Sequence, residues 1–372
     1  MPFKQSIKSI FKIMGPGVIT GASDDDPSGI ATYSQAGAQL GFGMLWTVLL
    51  MLPLMYIVQE MSGRIGLVTG SGLGKIIKEK YSKKVLLPLV GLLLIANTIT
   101  IGADIGAMAA SLRLLVPQIP LVGAILGFVI LILISQIFIP YNKFVKVLKY
   151  IALSLFAYVI TSIIVGGNVE NILLSTFVPH IELSKNYAVM FAAIFGTTIS
   201  PYLFFWQASE EVEEEVKSGK IKDIGKGSPK HIGKKEIKKM KIDTAIGMSF
   251  SQIIMWSIIV TCAGSLHSHG ITNIQTTEQA AKALEPLVKS FPNAGVVSKL
   301  IFAFGIMGTG LIGIPVLAAS CGYALSDTFG WKQGLYKKFR QARSFYLVIA
   351  ISSIIGVCIN FIGINPIQAL IY

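Results

Sequence analysis

The sequence predicts an all-α polytopic membrane protein, and three observations carry that reading. Apolar runs of about 20 residues, the length that crosses a bilayer core of about 30 Å, recur along the whole chain. Of its 372 residues 53% are hydrophobic and only 14% are charged, with a mean hydropathy of +0.67, whereas a soluble domain carries about a quarter charged residues. Lysine and arginine are also distributed unevenly between the connections. The expected spans are 15–40, 43–62, 86–112, 119–139, 147–166, 187–208, 243–264, 296–323 and 343–362, with a tenth opening near Pro366. With a cytoplasmic amino terminus, inside connections hold 27 of the 32 basic residues and outside connections hold five. That split follows the positive-inside bias. The net charge of +13 is therefore an orientation signal and not a nucleic-acid footprint, and the expected location is a cell membrane.

The first span carries the strongest local signal, Ser23-Asp24-Asp25-Asp26-Pro27-Ser28-Gly29. Each ionised Asp at the centre of a membrane helix costs about 2.5–3.5 kcal/mol, so three together cost about 10 and cannot face lipid. Pro27 lacks an N–H, and its ring clashes with the carbonyl four residues back. Two half-helices joined by unwound backbone are expected, a geometry tolerated at membrane depth only inside protein or beside a watery cavity. Asp24 and Asp25 are expected half a turn nearer the cytoplasm than Asp26, as possible vestibule groups.

Spans two to five complete a five-helix unit. They include Asp104 in span three, for which pairing with Arg340 or Arg343 is one reading. The sixth span, which opens the second unit, repeats the interruption as Gly196-Thr197-Thr198-Ile199-Ser200-Pro201-Tyr202, 174 residues after Pro27 by Pro201. Two such units of opposite orientation form an inverted repeat, whose broken helices meet at the bilayer midplane to bind substrate. Freed carbonyls and half-helix C-termini there favour a cation. The expected organisation is a single transmembrane domain over 1–372, with a first repeat at about 15–166 and a second at about 187–372. A cytoplasmic loop is expected at about 208–241. Its opening run Glu210, Glu211, Glu213, Glu214 and Glu215 reads first as a solvated helix end, with a cation-attracting funnel as the alternative. The stretch from Asn365 to Tyr372 is too short to cross, and a chain cut inside its tenth span is the expectation.

Little else carries chemistry. Cys262, Cys321 and Cys358 form no Cys-x-x-Cys pair and read as small core residues. His267 and His269 fall in a polar loop. The residues Met1–Met14 lack a signal-peptide layout.

At Gly15–Gly17 and Asp26-Pro27-Ser28-Gly29-Ile30-Ala31-Thr32, continuing to Gly41–Trp46, the chain resembles the NRAMP family of divalent-metal transporters. Asp104, Gly308-Thr309-Gly310, Arg340 and Arg343 extend the likeness. The resemblance implies a leucine-transporter-like 5+5 fold with helices one and six unwound, a divalent cation as substrate with no cofactor, and no enzymatic activity. It also implies a site: the positions aligned with the family's ligands are Asp26, Gly29, Thr197 and Ser200. The family's amide ligand is absent at Gly29, and its Met thioether is replaced by the Ser200 hydroxyl. Oxygen donors suit hard cations, and Mg²⁺ retains several waters when held by one or two carboxylates. The pattern resembles the NRAMP-related magnesium transporter branch, which also passes Mn²⁺. The family's helix-six histidines become Tyr202 and Gln207, and the acidic residue the family carries three positions after Asp104 is replaced by Ala107. Tyrosine and glutamine cannot relay protons near neutral pH, so uncoupled transport is expected. The alternatives are a proton-coupled Mn²⁺/Fe²⁺ symporter, an amino-acid carrier on the same fold, and an intramembrane aspartic protease built on Asp26 and Asp104. The sequence does not define an oligomeric state.

Overall fold

The structure, a computed structural model, describes residues 15–138, 155–165, 169–229, 232–290 and 293–361, and within them it contains helices and no strands. The helices are α1 (Pro16–Asp24), α2 (Pro27–Leu40), α3 (Trp46–Thr69), α4 (Leu73–Lys80), α5 (Lys83–Leu115), α6 (Leu121–Phe138) and α7 (Phe156–Val165). They continue with α8 (Val169–Phe177), α9 (Lys185–Thr198), α10 (Pro201–Lys217), α11 (Lys234–Ser265), α12 (Thr277–Lys282), α13 (Ala294–Phe329) and α14 (Arg343–Cys358). Seven helical stretches among the described residues are long and apolar enough to cross a membrane, or eight if α7 and α8 form one span. The expected tenth helix, the start of span five and the leading lysine segment lie outside the described residues.

Both anticipated interruptions are present. The first span is α1 and α2 separated by Asp25 and Asp26, and the sixth is α9 and α10 separated by Ile199 and Ser200. In each case proline opens the second half-helix, at the position where a missing N–H costs nothing. Asp26 (φ −68°, ψ 173°) and Ser200 (φ −81°, ψ 127°) occupy equivalent extended N-cap positions.

Helix α11 lies along α1 and α2 and also contacts α3 and α7, while α13 runs along α5, α10 and α14. The two long helices therefore flank the broken first span. Apolar side chains such as Leu92, Ile95, Ile163 and Ile351 cover the outside, as a lipid-facing surface requires.

The connection at 208–241 differs from the expected loop. Residues up to Lys217 belong to α10, and α11 begins at Lys234. Glu210, Glu211, Glu213 and Glu215 are buried, so the run is not a solvated helix end. The reason is tertiary: Glu213 accepts from the Tyr323 hydroxyl and from Leu335 N–H at 2.6 Å, and Glu211 accepts from Gln207 Nε2 at 3.0 Å. The loops after α10 and α13 are joined by Asp223, which accepts from Lys337 and Tyr336.

Candidate functional site

The break in the first span is built by its own side chains. Asp26 caps α2: Oδ1 accepts from Ser28 Oγ at 2.6 Å and from Gly29 N–H at 2.8 Å. Asp104, reaching from α5, takes the neighbouring Ser28 N–H on Oδ1 at 3.1 Å. Two carboxylates thus serve the N-terminal donors of α2, where helix ends leave N–H groups unpaired and favour negative charge. Asp104 does not pair with Arg340 or Arg343. Both arginines are exposed, and no ion pair joins either to Asp104 among the described residues. Asp104 instead accepts from Ser28 N–H and so helps to cap this end of α2.

Helix α13 lies close against the break because it carries glycine there. A Cβ on Gly313 would stand 2.8 Å from Asp26 Cβ, and one on Gly310 would stand 2.4 Å from Met108 Sδ. Gly29 is constrained less severely, its Cβ meeting Asp24 O at 3.0 Å. Its N–H is directed at Asp26, so Gly29 supplies room and a donor rather than a ligand.

The second broken span reaches the first through Tyr202. Its hydroxyl lies 3.0 Å from Ser23 O and 3.3 Å from Asp26 Oδ2, donating between the two. One turn earlier, Thr198 Oγ1 stands 3.0 Å from Tyr33 Oη of α2. Ser200 sits in the break itself and Thr197 in the last turn of α9 before it. Ser200 Oγ bonds back to the carbonyls of Gly196 (2.8 Å) and Thr197 (2.7 Å), and no hydrogen bond joins either residue to Asp26 among the described residues.

The structure therefore brings Asp24, Asp25, Asp26, Gly29, Asp104 and Tyr202 together, with Thr197 and Ser200 across the second break. Asp24, Asp25 and Asp104 are fully buried and Asp26 is 2% exposed. Asp24 Oδ1, both Asp25 oxygens and Asp104 Oδ2 have no hydrogen-bond partner among the described residues. Among the described residues, no three His, Cys, Asp or Glu side chains are arranged to hold a metal ion by themselves. A cation here would need hydroxyl, carbonyl or water oxygens as well. Starting one turn beyond Asp26, a narrow recess is lined by Ile30 and Ser34 of α2, Ala107 and Ser111 of α5, and Phe302 and Ile306 of α13.

The opposite side of the break is closed by α1 lying on α11. A Cβ on Gly21 would fall 2.1 Å from Gly247 O, and one on Gly17 would fall 2.6 Å from Thr244 N. Asp243 caps α1, accepting from the N–H groups of Gly15 and Gly17 at 2.7 Å each. Thr20 Oγ1 donates to Gln207 Oε1 at 2.6 Å.

Two of these residues were not singled out from the sequence. Asp243, an acidic residue opening an apolar run, could have been flagged by the cost of a charge there. Ser251, which donates to Asp24 Oδ2 at 2.5 Å, is one of many span hydroxyls and gave no signal. His267 and His269 bond to backbone carbonyls of Ala38 and Ser265 at 2.8 and 2.7 Å.

Comparison with known proteins bears on the fold and the family. The chain is 27% identical over 336 residues to "Divalent metal cation transporter MntH" of Mesorhizobium japonicum, covering 87% of this chain and 68% of that one. It is 29% identical over 308 residues to the protein of the same name from Erwinia tasmaniensis, covering 81% and 68%. A crystal structure of the Eremococcus coleocola manganese transporter matches with a TM-score of 0.69 at 16% identity, covering 98% of this chain and 74% of that chain. Mhp1, a nucleobase-cation-symport-1 family transporter, matches at 0.61 and 12% identity, covering 96% and 74%. These likenesses make the fold leucine-transporter-like, and the relatives are transporters rather than enzymes, which removes the aspartic-protease alternative. The family model described as natural resistance-associated macrophage protein-like matches residues 17–372, and the chain belongs to the Nramp family of multi-pass membrane proteins.

Proposed function

We propose that the chain carries divalent metal cations across a cell membrane by alternating access, its amino terminus cytoplasmic, with the ion held between the two helix breaks. The observation that carries this reading is the buried Asp26, linked by Tyr202 to the second broken span. In the proposed site Asp26 supplies the carboxylate, and the oxygens of Thr197 and Ser200 complete one side. Gly29 brings no side-chain ligand, so water fills the ion's remaining positions. The names of the relatives support a divalent cation as substrate.

The ion preferred by this set is hard and partly hydrated, Mg²⁺ or Mn²⁺. No thioether or thiol is offered by Asp26, Thr197 or Ser200, and soft ligands are what select the softer metals. One carboxylate with several retained waters is the usual manner of holding Mg²⁺. Transport is not proton-coupled in this reading, because Tyr202 and Gln207 do not titrate near neutral pH.

The test is uptake into proteoliposomes. Wild-type chain should take up Mn²⁺, excess Mg²⁺ should compete, and the lumen should not acidify. Asp26→Ala should abolish uptake. Ser200→Met should raise Cd²⁺ uptake relative to Mg²⁺, and unchanged selectivity would remove Ser200 from the ion's surroundings. Acidification accompanying uptake that millimolar Mg²⁺ leaves untouched would establish the proton-coupled Mn²⁺/Fe²⁺ symporter instead.

A further inference from the structure

Asp26 has little coordinating capacity left in this conformation. Its Oδ1 accepts two hydrogen bonds and its Oδ2 accepts from Tyr202. The bare anionic oxygens lie one and two residues earlier. Among the described residues, Asp25 is fully buried with neither oxygen accepting a hydrogen bond, and Asp24, equally buried, has none at Oδ1. Asp24 Oδ2 accepts from Ser251 of α11 at 2.5 Å, which fixes this carboxyl against the neighbouring helix. No lysine or arginine pairs with either among the described residues.

Burying an ionised carboxylate without a partner is among the costliest arrangements in a protein interior. The location adds to that cost. Asp24 is the last residue of α1 and Asp25 is its C-cap, so both sit at the negative end of the helix, where unpaired carbonyls favour a cation and disfavour an anion. Three unpartnered carboxylate oxygens, a serine hydroxyl and a helix C-terminus call for one compact positive charge of high density. All the donors are oxygen, which suits a hard divalent cation.

We propose that Asp24, Asp25 and Ser251 form a second divalent-cation site, on the amino-terminal side of Asp26, that receives the ion when the Asp26 oxygens are engaged in capping α2. The ion moves between the two positions by exchanging one carboxylate for the next along two residues of unwound chain. Asp26 then serves the recess side of the break, and Asp24 with Asp25 serve the side closed by α1 and α11. This inference rests on the reading that the chain carries divalent cations, and it deepens that reading by adding a station.

The experiment is Mn²⁺ binding to the detergent-purified full chain, followed by electron paramagnetic resonance and by calorimetry with Mg²⁺. Asp26→Asn should retain one saturable Mn²⁺ site although it no longer transports. Combining Asp26→Asn with Asp24→Asn and Asp25→Asn should abolish that site. If Asp26→Asn alone removes all binding, the second site does not exist. If it removes none of the binding while Asp24→Asn with Asp25→Asn removes all of it, the second site stands and Asp26 is the residue wrongly assigned. Proton uptake at Asp24 and Asp25 with no Mn²⁺ bound in Asp26→Asn would also overturn the proposal, making protons the neutralising charge. Because the triple variant can fail through misfolding, a gain-of-function arm accompanies it. Asp25→Cys in the Asp26→Asn background should raise the preference for Cd²⁺ over Mg²⁺ by about tenfold or more, since thiolate selects soft metals. An unchanged preference in folded protein overturns the proposal.

Discussion

In the proposed alternating access α1 parts from α11, and Gly21→Ala tests that step. The ideal Cβ at Gly21 falls 2.1 Å from Gly247 O, while ordinary contact begins at 3.4 Å, so the two helices must separate locally by about 1.3 Å. The obstructing atom is backbone, and no rotamer change relieves it. Overpacking a tight contact costs about 1–3 kcal/mol, and here the cost falls on the closed arrangement alone. At about 1.4 kcal/mol per tenfold, the open population should rise roughly fivefold to 150-fold. The readout is a cysteine at Thr244, which is buried and whose backbone meets Gly17. Cys358 is replaced by serine because it is exposed, whereas Cys262 and Cys321 are buried. Labelling of Thr244→Cys by a membrane-impermeant maleimide should accelerate in Gly21→Ala by the same factor. A folded Gly21→Ala protein labelled at the original rate would refute the assignment of this interface as the moving one.

Two further predictions concern groups outside the ion's immediate surroundings. Asp243→Ala removes a cap that holds two N–H groups at 2.7 Å, and replacing such a cap by alanine costs about 0.5–2 kcal/mol. Thr244→Cys labelling should therefore accelerate by a smaller factor than in Gly21→Ala, and a slower rate would contradict the capping role. Partial burial alone would raise the Asp223 carboxyl, but hydrogen bonds from Lys337 and Tyr336 outweigh it and hold its pKa below the usual carboxylate range. A depressed carboxylate contributes stability above its unfolded pKa of about 3.9 and loses it as pH falls through the lower folded value. Hydrogen exchange at 335–338 should thus be protected at pH 6, become faster below about pH 4 once intrinsic rates are corrected, and show no such transition in Asp223→Asn.

The two helix breaks were legible because their cause is local. Pro27 and Pro201 each remove a donor and clash four residues back, whatever surrounds them, and the breaks fall beside Asp26 and Ser200. The burial of Glu210, Glu211, Glu213 and Glu215 was not legible, because its causes are distant. Tyr323 is 110 residues from Glu213 in sequence and Leu335 is 122. A charge run carries no mark of a loop that will later cover it. Asp104 lies between these cases: its cost inside a span predicts a partner, but nothing in the sequence chooses Ser28 N–H over two distant arginines. The site was legible where backbone chemistry forces an outcome and obscure where a partner had to be selected.

In the proposed site Asp26 both caps α2 and binds the ion, and those tasks compete for the same oxygens. A cation approaching Oδ2 must displace the Tyr202 hydroxyl, whose bond is long at 3.3 Å and shared with Ser23 O at 3.0 Å. A shared neutral donor of this kind is worth about 0.5–1.5 kcal/mol. In the proposed site, Tyr202→Phe should therefore tighten Mn²⁺ binding by roughly twofold to tenfold, at about 1.4 kcal/mol per tenfold. Turnover should fall, because the same hydroxyl ties α10 to the end of α1. Calorimetry against Mn²⁺ and uptake under saturating ion separate the two effects. Weaker Mn²⁺ binding in the folded variant would mean that the phenol oxygen helps to hold the ion, and the competition argued here would be wrong.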